Sequence, residues 1–324
     1  MNGDWRPSAS ASALRLRAEV YRRIREYFHQ RQVLEVETPM LSEAANTDPN
    51  IESFNLQFSG PGLAGGTTRW LRTSPEFPMK RLIAAGIGDC YELGRVFRNG
   101  EFGRRHNPEF TLLEWYRVGW SHLELIEECI ALVRHIFTLK GVELAERRIS
   151  YADLFQEFAG IDPHTAGDEQ LQAAVLAEVA IDPDGLRRDD FLDLLMTHCI
   201  EPQLPKLSVT VVYDFPASQC ALARIRPGEV PVAERFELYL GSVELANGYH
   251  ELTDAAEQSA RFDKDLRLRR QRGTSALPKD QRLIDALESM PGCAGVAMGI
   301  DRLMMALLDA EALAEVVAFD FSKA

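Results

Sequence analysis

The chain has 324 residues, 46% of them hydrophobic and 26% charged, which is enough for one large globular domain or two small ones. Its formal charge of −13 opposes tight binding to phosphate backbones, whose affinity rests on Lys and Arg displacing counterions, so extensive nucleic-acid binding is not expected. Five scattered cysteines (Cys90, Cys129, Cys199, Cys220, Cys293) without a CxxC pair, no apolar leader and no run of ~20 apolar residues point to a cytoplasmic protein with reduced thiols and no membrane span.

A polar leader covers residues 1–13. Leu16, Val20, Ile24, Tyr27 and Phe28 then recur at helical spacing and predict an amphipathic helix with Arg and Glu on its other face. Val33, Leu34 and Val36 in VLEVETPML predict an edge strand stopping at Pro39, which cannot donate to a ladder. GPGLAGGTT over 60–68 reads as a turn, followed by strand-like WLRT from Trp70. SPEFPMKRLIAAGIG starts a helix at Ser74 and Pro75 and ends it at Gly86. CYELGRVFRN and EFTLLEWYRV read as antiparallel strands across a polar loop holding Glu101, Arg104, Arg105, His106 and Asn107. Residues 121–206 read as a helical elaboration, strands return at LSVTVVYDFP and RFELYLGSVELANG, and a helix from about Ile300 closes the chain. Strands flanking a helical block predict an α+β fold, an antiparallel sheet with helices beside it and a helical insertion.

Gly241 and Ser242 suit a two-residue hairpin turn, so Leu240 should face Val243, Tyr239 face Glu244, Leu238 face Leu245 and Glu237 face Ala246. Period-2 alternation then puts Phe236, Leu238, Leu240, Val243 and Leu245 on one face and Glu237 with Glu244 on the other, roughly 7–8 Å apart at the backbone. Two convergent carboxylates suit Mg²⁺. The alternative is a solvated face with two surface glutamates.

VLEVETPML, FRNGEFGRRHNPEFTLLEWYR and GVAMGIDRLMMALL together resemble motifs 1, 2 and 3 of class II aminoacyl-tRNA synthetases, in order. SPE at 74–76, RHNPEF at 105–110 and ELANGYHELTD at 244–254 are most similar to the lysyl type, and the likeness covers roughly residues 14–324. Motif 1 begins near residue 14, so no anticodon-binding domain is expected before it. This pattern resembles the truncated lysyl-tRNA synthetase paralogues that ligate a lysine-type amino acid, preferably (R)-β-lysine, to a lysine side chain of elongation factor P.

The resemblance implies ATP and Mg²⁺ as cofactors and a site assembled as follows. Arg98 matches the motif 2 arginine on the α-phosphate and substrate carboxylate. Arg302 is its motif 3 counterpart covering the base, and Phe110 stacks on adenine from the other side. His106 contacts the outer phosphates, and Asn99, Gly100, Leu245 and Gly299 complete the nucleotide site. Glu237 and Glu244 match the metal carboxylates. Glu76, Tyr116 and Glu251 match positions holding the two ammonium groups of lysine, with Ser74, Pro75, Asn247, Gly248 and Ala297 lining the same pocket. Taken as isolated residues, Phe110 and Tyr116 could be core, Glu251 a helix cap, and Asn247 with Gly248 a turn.

Two positions depart from the lysyl pattern. Gly100 stands where that family reads glutamate, and Glu101 is expected to substitute from a shifted loop, since glycine permits backbone angles other residues avoid. Ala297 stands where the family tends to glycine and is expected to favour a displaced amino group. RFDKDLRLRRQRG, with Lys264, Arg267, Arg269, Arg270 and Arg272, is a candidate docking surface for the acidic acceptor, or else a solvated helix face. A homodimer built on motif 1 is expected. The competing readings are a minimal tRNA-charging synthetase and a catalytically inactive regulatory paralogue.

Overall fold

The computed structural model describes residues 5–60, 66–274 and 277–324, so 61–65 of the expected turn lie outside the described residues. In chain order the elements are α1 (Ala11–His29), β1 (Leu34–Glu35), β2 (Leu41–Ser42), β3 (Asn55–Phe58), β4 (Thr67–Leu71), α2 (Glu76–Ala84), β5 (Cys90–Phe97) and β6 (Glu109–Val118). There follow α3 (His122–Phe137), β7 (Ala145–Ser150), α4 (Tyr151–Ala159), α5 (Asp168–Glu178), α6 (Arg188–Leu195), β8 (Ser208–Pro216), β9 (Ile225–Arg226), β10 (Val232–Leu240) and β11 (Val243–His250). The chain closes with α7 (Ala255–Gln271), α8 (Gln281–Leu287), β12 (Cys293–Gly299) and α9 (Ile300–Leu308). It divides into two compact units, the first within Met1–Gly119, Thr253–Cys293 and Ala297–Ala324, the second Trp120–Leu252 with Ala294–Val296. Strands mixed with helices in both make this an α+β protein, as expected.

In the first unit, Ser10 caps α1 by accepting from the Ala13 amide, and Val20, Ile24 and Phe28 are fully buried along one stripe. Phe28 packs between Tyr91 at 4.5 Å and Trp115 at 5.4 Å. Arg17 departs from the expected polar face. It is buried, pairs with Asp301 at the start of α9 and donates to Thr111 Oγ1 at 2.9 Å, while Asp301 accepts from the Thr111 amide. Helices α1 and α9 are thereby tied to β6 by one buried charge cluster. Strand β1 is shorter than expected: only Leu34 and Glu35 pair, parallel, with Cys90 and Tyr91 of β5 at the edge of the ladder. Strands β5 and β6 pair antiparallel over eight positions, from Cys90 opposite Tyr116 to Phe97 opposite Glu109. Strands β2, β4 and β3 form a separate small sheet. Helix α2 starts as expected: Ser74 Oγ accepts from the Glu76 amide at 2.9 Å, and Gly86 beyond its end has φ +85°.

In the second unit, β11, β10 and β8 are antiparallel neighbours, and β7 joins β8 in parallel. Strand β7 lies within the stretch over 121–206 expected to be mainly helical, beside α3, α4, α5 and α6. The core of this unit joins the helices to the ladder through Tyr151, Phe155, Leu192, Val212, Phe215 and Tyr239. At the hairpin, Leu240 faces Val243 and Tyr239 faces Glu244 as expected. A bulge then shifts the register, so Leu238 faces Ala246 and Glu237 faces Asn247, instead of Leu245 and Ala246. Leu245 is the residue the bulge adds. Because directly facing residues share a side, Glu237 and Glu244 stay on one face, now joined by Asn247.

Candidate active site

Strand β6 sends every second side chain to the same side, which groups Phe110, Leu112, Glu114 and Tyr116. Glu114 is buried, at 3% exposure. The Tyr116 hydroxyl donates to its Oε1 at 2.7 Å, and the Ser74 hydroxyl donates to its Oε2 at 2.9 Å. The expected pocket residues Ser74 and Tyr116 are therefore joined through a carboxylate that sequence reading passed over. The available signal was its position in the period-2 series between Phe110 and Tyr116. Glu92 lies opposite Glu114 in register, but its charge is met by Arg72 at 2.6 Å and by the Thr38 amide and hydroxyl. Glu114 accepts instead from the hydroxyls of Tyr116 and Ser74.

Glu76, at the start of α2 behind Pro75, pairs with the buried ammonium of Lys80 at 2.7 Å. A cavity of about 230 Å³ opens beside it, lined by Ala45, Asn46, Thr73, Ser74, Glu76 and Arg81 among others.

Arg98 directly follows β5, and backbone bonds from Arg98 to Pro108 O and from Asn99 to Glu52 O fix the mouth of the polar loop at 2.8 Å each. The Arg98 guanidinium stands 5.1 Å from the centroid of the Phe110 ring and 3.4 Å from Glu101 Oε1. Gly100 has φ +85° and open space where a Cβ would project, so its role there is conformational. That turn places the Glu101 carboxylate beside Arg98. Arg302, on the first turn of α9, places Nη2 3.0 Å from His106 Nε2. Gly299 immediately precedes α9, and Ala297 is half-buried in β12. The first unit thus brings together Arg98 with Phe110, and His106 with Arg302.

In the second unit Glu237 is 8% exposed and accepts from Arg235 Nη2 and the Tyr239 hydroxyl at 2.5 Å each. Burial raises its pKa above the ordinary carboxylate value; Arg235 opposes this, and the nearby Glu244 charge adds to it. Two carboxylates on one face of the hairpin, one of them buried, offer hard oxygen donors of the kind that fits Mg²⁺. Asn247, opposite Glu237, has its Oδ1 buried without a hydrogen-bond partner among the described residues. Gly248 is required sterically: a Cβ there would lie 2.4 Å from the Phe236 ring and 3.0 Å from Gly295 O. Leu245 and Glu251 are both 2% exposed, and Glu251 forms a backbone bridge with Ala223.

The basic run on α7 is not uniform. Arg269 is fully buried, donates to the carbonyls of Asp48 and Ile51 and pairs with Glu52, which removes it from any docking surface. Lys264, Arg267, Arg270 and Arg272 are exposed, Arg272 bonding Asn50 at 2.7 Å. The helical period turned one arginine of the run inward.

Comparison with known proteins agrees with the motif pattern. The family of tRNA synthetases class II (D, K and N) matches residues 3–323. A Vibrio cholerae serotype O1 protein named "Elongation factor P--(R)-beta-lysine ligase" is 47% identical over 326 residues, covering 100% of this chain and 99% of the relative. A Salmonella gallinarum protein of the same name is 46% identical over 325 residues, covering 99% and 98%. The chain belongs to the class II tRNA synthetase family of the D, K and N type.

Proposed function

We propose that this protein activates a lysine-type amino acid, preferably (R)-β-lysine, as its adenylate with ATP and transfers it to a lysine side chain of elongation factor P. The observation that carries the reading is the end-to-end identity, 47% across 99% of the relative's length, with a ligase of that name. In the first step a carboxylate oxygen of the amino acid attacks the α-phosphorus of ATP and pyrophosphate leaves. In the second, the neutral acceptor amine attacks the acyl carbon, an amide forms and AMP departs. Neither step needs a protein nucleophile, so the side chains serve to position groups and offset charge.

Arg98 would hold the α-phosphate and substrate carboxylate, aimed by Glu101. Phe110 and Arg302 would take the adenine between them, with His106 beside Arg302 on the outer phosphates; ring stacking and a cation over a π face favour that arrangement. Glu237 and Glu244 would hold Mg²⁺, which when bound offsets charge on the phosphate oxygens. A diamine needs an anionic partner at each end, because a buried unpaired ammonium is costly. By the resemblance Glu76, Tyr116 and Glu251 would serve that task, and Glu114, bonded to Tyr116 and Ser74, would be a further carboxylate for it. Ala297 would favour the displaced amino group, and an Ala297→Gly variant with unchanged preference between α- and β-lysine would contradict that role. A cytoplasmic homodimer packed through motif 1 belongs to the same proposal.

The test is transfer of labelled (R)-β-lysine by purified protein to elongation factor P and, separately, to tRNA. Labelling of elongation factor P alone supports the reading; labelling of tRNA alone would make the chain a minimal synthetase. The formal charge of −13 weighs against the tRNA acceptor. Retention of Arg98, Glu237, Glu244 and Arg302 weighs against an inactive regulatory paralogue.

A further inference from the structure

We infer that His122, Glu234 and His250 in the second unit form a binding site for a borderline divalent metal ion of the Zn²⁺ type, separate from the Glu237 and Glu244 pair. His122 opens α3, Glu234 lies in β10 and His250 ends β11. One ligand atom from each lies within 4.8 Å of the other two, and His250 Nδ1 is already 2.8 Å from a Glu234 carboxylate oxygen.

The observation that asks for a ligand is His122. Its side chain is buried, at 1% exposure for the residue, yet among the described residues neither ring nitrogen has a hydrogen-bond partner. Asp214 Oδ1, 3.7 Å from Nε2, is likewise buried and without a hydrogen bond. A polar ring taken out of water in this way is unfavourable unless something meets its lone pair. The two imidazole rings lie 6.5 Å apart in a loosely stacked arrangement at 27°, and each offers a nitrogen within 4.8 Å of a Glu234 carboxylate oxygen. Tetrahedral Zn²⁺ with bonds of ~2.0–2.2 Å needs donor atoms roughly 3.3–3.5 Å apart, a contraction within reach of side-chain rotation.

Two imidazoles and a carboxylate, with Asp214 at the rim, make a mixed nitrogen and oxygen set that favours Zn²⁺, Co²⁺ or Ni²⁺ over Mg²⁺. Arg224 bonds Glu234 at 2.7 Å, and Arg226 pairs with Asp214 at 2.5 Å and approaches Glu234 at 3.7 Å. These two guanidinium groups set an electrostatic cost that the three ligands must exceed. Strand alternation sends His250, with Gly248 and Phe236, to the side away from Glu237 and Asn247, so the two cation sites do not share ligands. An ion here would pin the start of α3 to β10 and β11, a structural role.

The test uses the full chain, stripped with chelator and free of ATP, titrated with Zn²⁺ by calorimetry and with Co²⁺ by visible absorption. One equivalent of Zn²⁺ bound in excess Mg²⁺, an intense four-coordinate Co²⁺ spectrum and a raised melting temperature are expected. All three should be lost in His122→Gln and in Glu234→Gln, with folding checked by circular dichroism. Absence of Zn²⁺ binding by the unaltered protein, or a Co²⁺ spectrum that survives both substitutions, overturns the site and leaves the trio a buried hydrogen-bonding network.

Discussion

Tyr116 and Glu114, two residues apart on one strand, are joined by a 2.7 Å hydrogen bond from the tyrosine hydroxyl to the carboxylate. The same carboxylate takes the Ser74 hydroxyl on its other oxygen. Replacing Glu114 with Gln keeps the shape and removes the charge. A charge-assisted hydrogen bond is worth about 1.5–3 kcal/mol, so KM for the amino acid should rise roughly 10- to 100-fold while KM for ATP moves far less. Steady-state pyrophosphate exchange with each substrate varied in turn reads this directly, and an equal rise in both constants would remove Glu114 from the amino-acid pocket.

Arg302 and His106 touch at 3.0 Å, although 196 positions separate them in the chain. Both are assigned to the nucleotide, so Arg302→Ala and His106→Ala should weaken ATP binding, measured by calorimetry with a non-hydrolysable analogue. The losses in the double variant should fall short of the sum, because each residue orients the other. Arg98→Ala should act differently, lowering kcat for adenylation by about 10²–10³, as expected where a positioned cation meets charge that develops in the transition state.

The arginines of α7 separate by burial. Arg269→Ala leaves Glu52 and two backbone carbonyls without their partner and should cost about 3 kcal/mol in urea unfolding. Lys264→Ala with Arg270→Ala should change stability by no more than about 0.5 kcal/mol. If this exposed part of the helix docks elongation factor P, the pair should slow transfer while leaving adenylation intact. Transfer unaffected by the pair would make these residues an ordinary solvated face.

Burial raises the Asp265 carboxyl to about 6, with the Asp48 charge adding to the effect and the Thr47 hydrogen bond opposing it. A group whose folded pKa is raised contributes stability that is complete below its unfolded value and is lost as pH rises through the folded one. For Asp265 that window runs from about 4 to about 6. Asp265→Asn keeps an acceptor for the Thr47 hydroxyl and has no carboxylate to ionise. Near neutral pH it should be more stable than the parent by about 1 kcal/mol, after allowing for partial solvent screening, and the difference should fade toward pH ~4. Urea unfolding at the two pH values checks the sign.

Much of this arrangement was legible in the sequence because it depends on local periodicity. The α1 stripe of Val20, Ile24 and Phe28, the β5 and β6 pair, and the position of Arg98 at a strand end all follow from spacing. The hairpin bulge did not, since its effect appears only when two strands are aligned: the turn read correctly at Leu240 and Val243, and the added Leu245 shifted everything beyond. Strand β7 was hidden because AERRIS carries three charged residues and has mostly exposed or half-exposed side chains. Arg17 and Arg269 read as solvent-facing because their partners, Asp301 and Glu52, lie far away in sequence. Glu114 sat in plain view within LLEWYR, and only its bonds to Ser74 and Tyr116 set it apart.

The most direct test of the whole account is ATP–pyrophosphate exchange by the purified chain with Mg²⁺, comparing (R)-β-lysine, α-lysine and unrelated amino acids. The account predicts exchange that depends on a lysine isomer, is greatest with (R)-β-lysine and is abolished in Arg98→Ala. Absence of exchange with every lysine isomer, in protein that is folded and binds ATP, would contradict it.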